Sequence, residues 1–233
     1  MFVRDVREEP VRSDEPRLAV MLARWTVLAD EPDDPRLLES VESDLRDPRV
    51  DLDCPFDYLR RLTDEQRQEQ ICRSVDTTTH LKLSLDQNRH RGLRAWLHVY
   101  KPWDRARDRH AASVHDHRYS FVSKILSGGY REEHWTVRGE PRVTGSQSFS
   151  AGEVHVVGVQ EVHSLSEVAD GTITLVVQLP TTRWFSTVYQ SSARGGGVGA
   201  RRIVDIESHL DRLLVERPAG PLAERSPYVD ATD

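Results

Sequence analysis

The stretch SVHDHRYSFVSKILSGG, residues 113–129, decides how this chain is read. Two histidines, His115 and His117, stand one residue apart at the head of an apolar run that ends in paired glycines. On an extended strand, residues i and i+2 face the same side. The two imidazoles then start about 7 Å apart at the backbone and can both reach one cation through bonds of roughly 2.1 Å. The same alternation predicts Tyr119, Phe121, Ser123 and Ile125 on that face, an aromatic and apolar cup around a metal. In a chain with ten histidines the pair also has a plainer reading, a surface strand that carries two imidazoles.

The surroundings of this stretch repeat every two residues. HLKLSL, LRAWLHVY, YSFVSKIL, EEHWTV, EVHVVGV and GTITLVVQL are short, rich in β-branched or aromatic residues, and bounded by Gly, Pro, Asp and Asn. Strands this dense, with no helices between them, exclude a parallel α/β sheet and predict an antiparallel sandwich or jelly roll over residues 77–190.

Upstream the period is helical, so residues 1–76 are expected to form an α-helical extension. Leu18, Met21, Leu22, Trp25 and Leu28 make one stripe, with Ser13 or Asp14 as N-cap. Asp34 caps a second helix with Pro35 at its first position, and Thr63 and Gln66 are spaced as the capping box of a third. Residues 191–233 read as a flexible loop, a closing helix capped by Asp205, and an extended tail. The glycine cluster at 195–199 lacks the Gly-Lys-Ser/Thr of a phosphate loop and reads as a linker or lid.

Composition narrows the partners. A formal charge of −6 gives no electrostatic footprint for nucleic acid or an anionic membrane. The first residues lack the apolar core of a signal peptide, and no apolar run approaches the roughly 18 residues that span a bilayer. A cytoplasmic protein, monomer or homodimer, is expected. Cys54 and Cys72 read as a reduced, partly buried pair.

A second spacing downstream of the HxH pair adds weight to the metal. Metal-binding jelly rolls of the cupin superfamily have a first motif G-x5-HxH-x3-E-x6-G and a second G-x5-P-x-G-x2-H-x3-N. His115, His117 and Gly128 stand at the intervals of the first, and Gly152 and His163 at those of the second. Arg109 replaces the first glycine of the first motif, and Phe121 its acid. Gly158, Gln160 and Glu167 replace Pro, Gly and Asn of the second. The chain thus resembles the cupins, which implies a jelly roll with a metal held by His115, His117 and His163.

With three neutral imidazoles and no acid, a divalent cation keeps its full charge and open positions, which suits an anionic substrate together with O2 or water. That set resembles the three-histidine thiol dioxygenases, the cysteine dioxygenase-like enzymes, over about residues 78–180. The resemblance implies Fe(II), with Ni, Mn, Cu or Zn as other occupants, and places Lys82 in HLKLSL where that family pairs an arginine with the substrate carboxylate. It also implies substrate-facing roles for Thr174 and Gln178, with Tyr119 orienting the substrate or simply lining the cup. The family's Ser-His-Tyr set reads Thr174, Val176 and Gln178 here, and Lys82 is a point charge instead of a planar fork.

The expected activity is O2-dependent oxidation of a small thiol- or amino-acid-like molecule, in a specialised biosynthetic pathway. The alternatives are a non-oxidative metal cupin (isomerase, lyase or decarboxylase) and a non-catalytic small-molecule-binding cupin. Around the site, His155 reads as a core or supporting histidine ahead of a fourth ligand. Of Glu133 and His134 only one can look inward. Trp96, Trp103, Trp135 and Trp184 read as core and rim packing.

Overall fold

The computed structural model describes residues 15–29, 35–77, 79–85, 92–102, 114–138, 141–183, 186–189 and 201–202. The expected cap Asp34, together with Trp103, Arg109, Trp184, the glycines at 195–199 and the helix from Asp205, lies outside the described residues. Ser13 and Asp14 do not cap the first helix, which starts at Arg17 with Pro16 at the N-cap position and no side-chain cap.

Four helices come first: α1 (Arg17–Leu28), α2 (Pro35–Leu45), α3 (Asp53–Arg60) and α4 (Asp64–Arg73). Leu18, Met21, Leu22 and Trp25 form the buried face of α1, and Leu37, Val41 and Leu45 that of α2. Trp25 Nε1 donates to Asp44 Oδ2 at 2.7 Å, tying the two together. The Thr63–Gln66 capping box is present in both directions. The helix α3 is not separable in the sequence, because Pro55 interrupts its pattern. Pro55 is tolerated in the first turn, where its missing N–H would have no intrahelical partner. Cys54 is buried and Cys72 exposed, both as free thiols, so the expectation of a partly buried pair holds for the first alone.

The rest is β: β1 (Val75–Asp76), β2 (His80–Ser84), β3 (Arg94–Tyr100), β4 (Val114–His115), β5 (Phe121–Ser127), β6 (Gly129–Thr136), β7 (Arg142–Ser150), β8 (Val154–Val157), β9 (His163–Ser166), β10 (Ile173–Gln178), β11 (Val188–Tyr189) and β12 (Arg201–Arg202). They form two antiparallel sheets, β12-β1-β2-β3-β10-β5-β8 and β11-β4-β9-β6-β7. Counting β3 to β10 as eight strands, one sheet runs first-eighth-third-sixth and the other second-seventh-fourth-fifth. That is the winding of a cupin-type jelly roll, with β1, β2 and β12 extending one sheet.

Two expectations need correction. The run from His115 to Ile125 is not one strand: β4 ends at His115 in the five-stranded sheet, and β5 begins at Phe121 in the seven-stranded one. Ile125 therefore lies not in the cup but in a core cluster with Tyr130, Phe149 and Val168. The polar strand β7 carries no alternating apolar signal, because Phe149 is its one buried residue.

The strand β5 is buried on both faces because α2 lies against it, and Lys124 donates to the Asp47 carbonyl at 2.9 Å. Both motif glycines are needed for their backbone: Gly128 has φ +69 and Gly152 φ +91. A Cβ on Gly128 would also sit 2.8 Å from Thr172 Cα. Glu167, in the place of the motif's asparagine, takes φ +52, a conformation that asparagine adopts more readily than glutamate.

Candidate metal centre

A cavity of about 290 Å³ is lined by residues of both sheets. Its polar focus is the histidine trio. His115 pairs in register with His163 across the β4–β9 ladder, so both side chains leave the same face of the five-stranded sheet. His117 follows in the crossing between the sheets. One ligand atom from each of the three lies within 4.8 Å of the other two, and the His117 and His163 Nε2 atoms are 2.9 Å apart. Nitrogens bound at right angles to one cation at about 2.1 Å sit ~3 Å from each other. The trio therefore fits a shared divalent ion.

The aspartate inside the HDH block orients the pair. Asp116 is buried and turned to the 183–189 segment, where Thr187 N donates to Oδ1 at 2.6 Å and Arg183 Nη1 and the Tyr189 hydroxyl donate to Oδ2 at 3.3 Å. With Asp116 held outward, the flanking histidines are left on the cavity side.

Behind His163 stands a residue that the sequence reading missed. Glu132 is 1% exposed and hydrogen-bonds to His163 Nδ1. With Nδ1 donating, His163 Nε2 keeps its lone pair toward the trio, the arrangement by which a carboxylate fixes a ligand imidazole. Burial pushes the Glu132 carboxyl up, but the hydrogen bond and charge of His163, with His155 and His134, outweigh it and leave it below its ordinary value. The sequence reading weighed Glu133 and His134 instead. Counting alternation from Gly129, the first residue of β6, places Tyr130 and Glu132 inward, and that turn position was the available signal. Glu133 is half-buried and accepts from the Ser164 hydroxyl at 3.3 Å.

His117 is pushed down to about 2 by burial first, then by the charges of His115, His163 and Lys82. It is thus neutral at ordinary pH, the form that ligates a metal. His155 stacks on Phe149 with centroids 4.0 Å apart, and its Nε2 lies 3.2 Å from the Tyr130 hydroxyl and 3.5 Å from Glu132. Burial pushes it down to about 4, against the pull of Glu132. The converging ligand atoms are those of His115, His117 and His163, and His155 is not among them.

Lys82, Tyr119, Gln178 and Val176 all line the cavity. Phe121, at the place of the acid, packs edge-on against His117 at 4.9 Å and clusters with Val157 and Val176. Thr174 does not line the cavity, contrary to expectation. It is fully buried opposite Ile125, in the layer closed by the Ile125, Tyr130 and Phe149 cluster. Trp135 Nε1 donates to the Ser164 hydroxyl at 3.0 Å, and Trp96 packs against the Phe121 cluster.

Among the described residues no helix is long and apolar enough to cross a membrane. No protein-family model matches the chain, and no curated protein sequence does either. Similar solved structures include hydroxypropylphosphonic acid epoxidase from S. wedmorenis, at 13% identity and TM-score 0.35 over 45% of this chain and 54% of that one. A DMSP lyase from Ruegeria pomeroyi DSS-3 is 11% identical, at TM-score 0.35 over 55% of each chain. A mutant of Bacillus subtilis oxalate decarboxylase is 13% identical, at TM-score 0.36 over 49% of this chain and 29% of that one. The matched part thus spans little more than half the length of the first two and under a third of the last. Overlap of this extent leaves the centre to be argued from its own residues.

Proposed function

We propose that His115, His117 and His163 hold one divalent cation, Fe(II) ahead of Ni, Mn, Cu and Zn, and that the chain is an enzyme for O2-dependent oxidation of a small thiol- or amino-acid-like substrate. The observation that carries this reading is the 2.9 Å approach of two imidazole nitrogens, with the third ligand atom of the trio within 4.8 Å. A cation bound there supplies Lewis acidity toward the substrate and open positions for small ligands.

The chain's own residues do the remaining work. Glu132 fixes the tautomer of His163 and balances part of the site's positive charge. Lys82 attracts the charged end of the substrate into a cavity where Phe121, Val176 and Trp96 of the same sheet exclude water. Gln178 offers both a donor and an acceptor to a bound group, and the Tyr119 hydroxyl can orient it. The missing acid favours an anionic substrate, because the trio adds no negative charge of its own.

Metal analysis of protein purified without oxygen tests this directly. About one equivalent per chain is expected in the native protein and almost none in His163→Ala, whose lost imidazole leaves two neutral ligands. Equal metal content in both would overturn the ligand set.

Val176 supports a second reading. It lines the cavity where the thiol dioxygenases carry a hydrogen-bonding histidine, so a non-oxidative lyase, isomerase or decarboxylase activity is the rival. An oxygen electrode with a panel of thiols and amino acids separates the two. Turnover without O2 uptake would favour the rival.

A further inference from the structure

The same cavity has a second polar end. His80 and Lys82 share a face of β2, and His98 stands opposite Lys82 in register on β3. The His80 and His98 ring centroids are 4.5 Å apart, and all three residues line the cavity. The Nε2 atoms of both histidines are buried and lack a hydrogen-bond partner among the described residues. Buried polar atoms left unmatched are rare in folded proteins, and two in one cavity wall point to a ligand. Thr79 Oγ1 lies 2.7 Å from His80 Nδ1, and a donating hydroxyl there leaves the ring proton on Nε2.

The chemistry of the ligand follows from the company these atoms keep. Lys82 is shifted down by burial, with no carboxylate among the described residues opposing it. Its charge bears on both histidines. An ammonium beside two imidazoles repels a second metal ion and attracts an anion. The three side chains come from two strands, and each can present an N–H donor to a ligand. A carboxylate presents two oxygens in one plane, which suits the fork of an arginine, whereas a tetrahedral oxyanion presents three oxygens to three separate donors.

We infer that His80, Lys82 and His98 form a subsite for the substrate's head group, and that this head group is a tetrahedral oxyanion, a sulfonate, phosphonate or phosphate. The inference rests on the reading of this cavity as the substrate site of a metal enzyme. It narrows the substrate to a small thiol or amine that carries such a head group in place of a carboxylate.

Calorimetric titration of the full chain with sodium sulfate, inorganic phosphate and acetate tests it. The titrations are run on the metal-free protein, so that an anion on the metal cannot imitate the subsite, and repeated after metal loading. Sulfate or phosphate should bind about tenfold or more tighter than acetate. Lys82→Met and His98→Gln should each weaken that binding by about tenfold, and Lys82→Arg should retain most of it.

Acetate binding as tightly as either tetrahedral anion would overturn the inference. So would unchanged sulfate and phosphate binding in Lys82→Met and His98→Gln. A second metal equivalent that His98→Gln removes would assign these histidines to a cation instead. If a variant fails to fold, the order of the three anions on the native protein still decides. Metal content, measured separately, decides the metal reading, so either can fail while the other stands.

Discussion

The two walls of the cavity differ in how completely their polar groups are matched. On the five-stranded sheet, Glu132 holds His163, and Asp116 is tied by Thr187, Arg183 and Tyr189. On the seven-stranded sheet, His80 and His98 keep buried Nε2 atoms with no partner, and His155 an unmatched Nδ1. A matched network positions its members for a task the protein completes by itself. An unmatched one is a set of groups whose partner arrives from outside, because a buried polar atom without a hydrogen bond costs about 1–3 kcal/mol.

The largest effect should come from the matched wall. His163→Ala removes a ligand at the centre of the trio, and metal analysis should show near-complete loss. Glu132→Gln should follow: the amide oxygen can still accept from Nδ1, but the charge is gone. A loss of about 10- to 100-fold in metal affinity is expected from such a partner, read by competition with a chelator. An unchanged affinity would mean that Glu132 only fills space, and the contrast between the walls would weaken.

The unmatched wall should reveal itself in the pH dependence of stability. His80 and His98 are held well below 6.5, by burial first and then by Lys82 and neighbouring cations. Above about 6.5 each is neutral in both folded and unfolded chains and contributes nothing to pH dependence. Below it, the unfolded chain binds protons that the folded chain refuses. Stability then falls with pH by about 1.4 kcal/mol per unit for each histidine, until its folded value is reached. Urea melts of the metal-free protein between about pH 5 and 7.5 should show that slope, and His98→Gln should reduce it. A slope identical in His98→Gln would show that this histidine ionises freely.

The smallest effect belongs to a control remote from both walls. Thr63→Ala removes the α4 cap and should lower stability by about 1 kcal/mol, with metal content and anion binding unchanged. A change in either would mean that the helical layer reaches into the site.

Much of this was legible because certain residues impose their surroundings locally. The Thr63–Gln66 spacing is a capping box whatever packs around it, and the alternation in HLKLSL and ITLVVQ names strands. Gly128 and Gly152 sit at positive φ, where few other residues fit. The intervals from His115 to Gly128 and from Gly152 to His163 therefore describe a jelly roll's turns as much as its ligands. What could not be read has a physical reason too. Glu132 is inward because β6 starts at Gly129, a start that EEHWTV does not mark and only the upstream Gly128-Gly129 turn signals. The strand β7 buries Phe149 alone, so its sequence looks like a loop. Thr174 has the right parity for the cavity, yet it is fully buried between His98 and Ile125 without lining it.

The sequence by itself determined the fold class, through the period of its strands, and singled out the three histidines, through intervals that resemble the cupin motifs, because both are properties of neighbours along the chain. Only the tertiary structure decided what each histidine faces. The stretch from His115 to Phe121 splits between two sheets, Asp116 turns away from the cavity onto a segment about 70 residues away, and Glu132 reaches His163 across a strand pair. Those choices depend on which strands lie side by side. That is fixed when burying the apolar faces of Ile125, Leu175 and Val177 selects one order of strands out of many, and no interval along the chain encodes it.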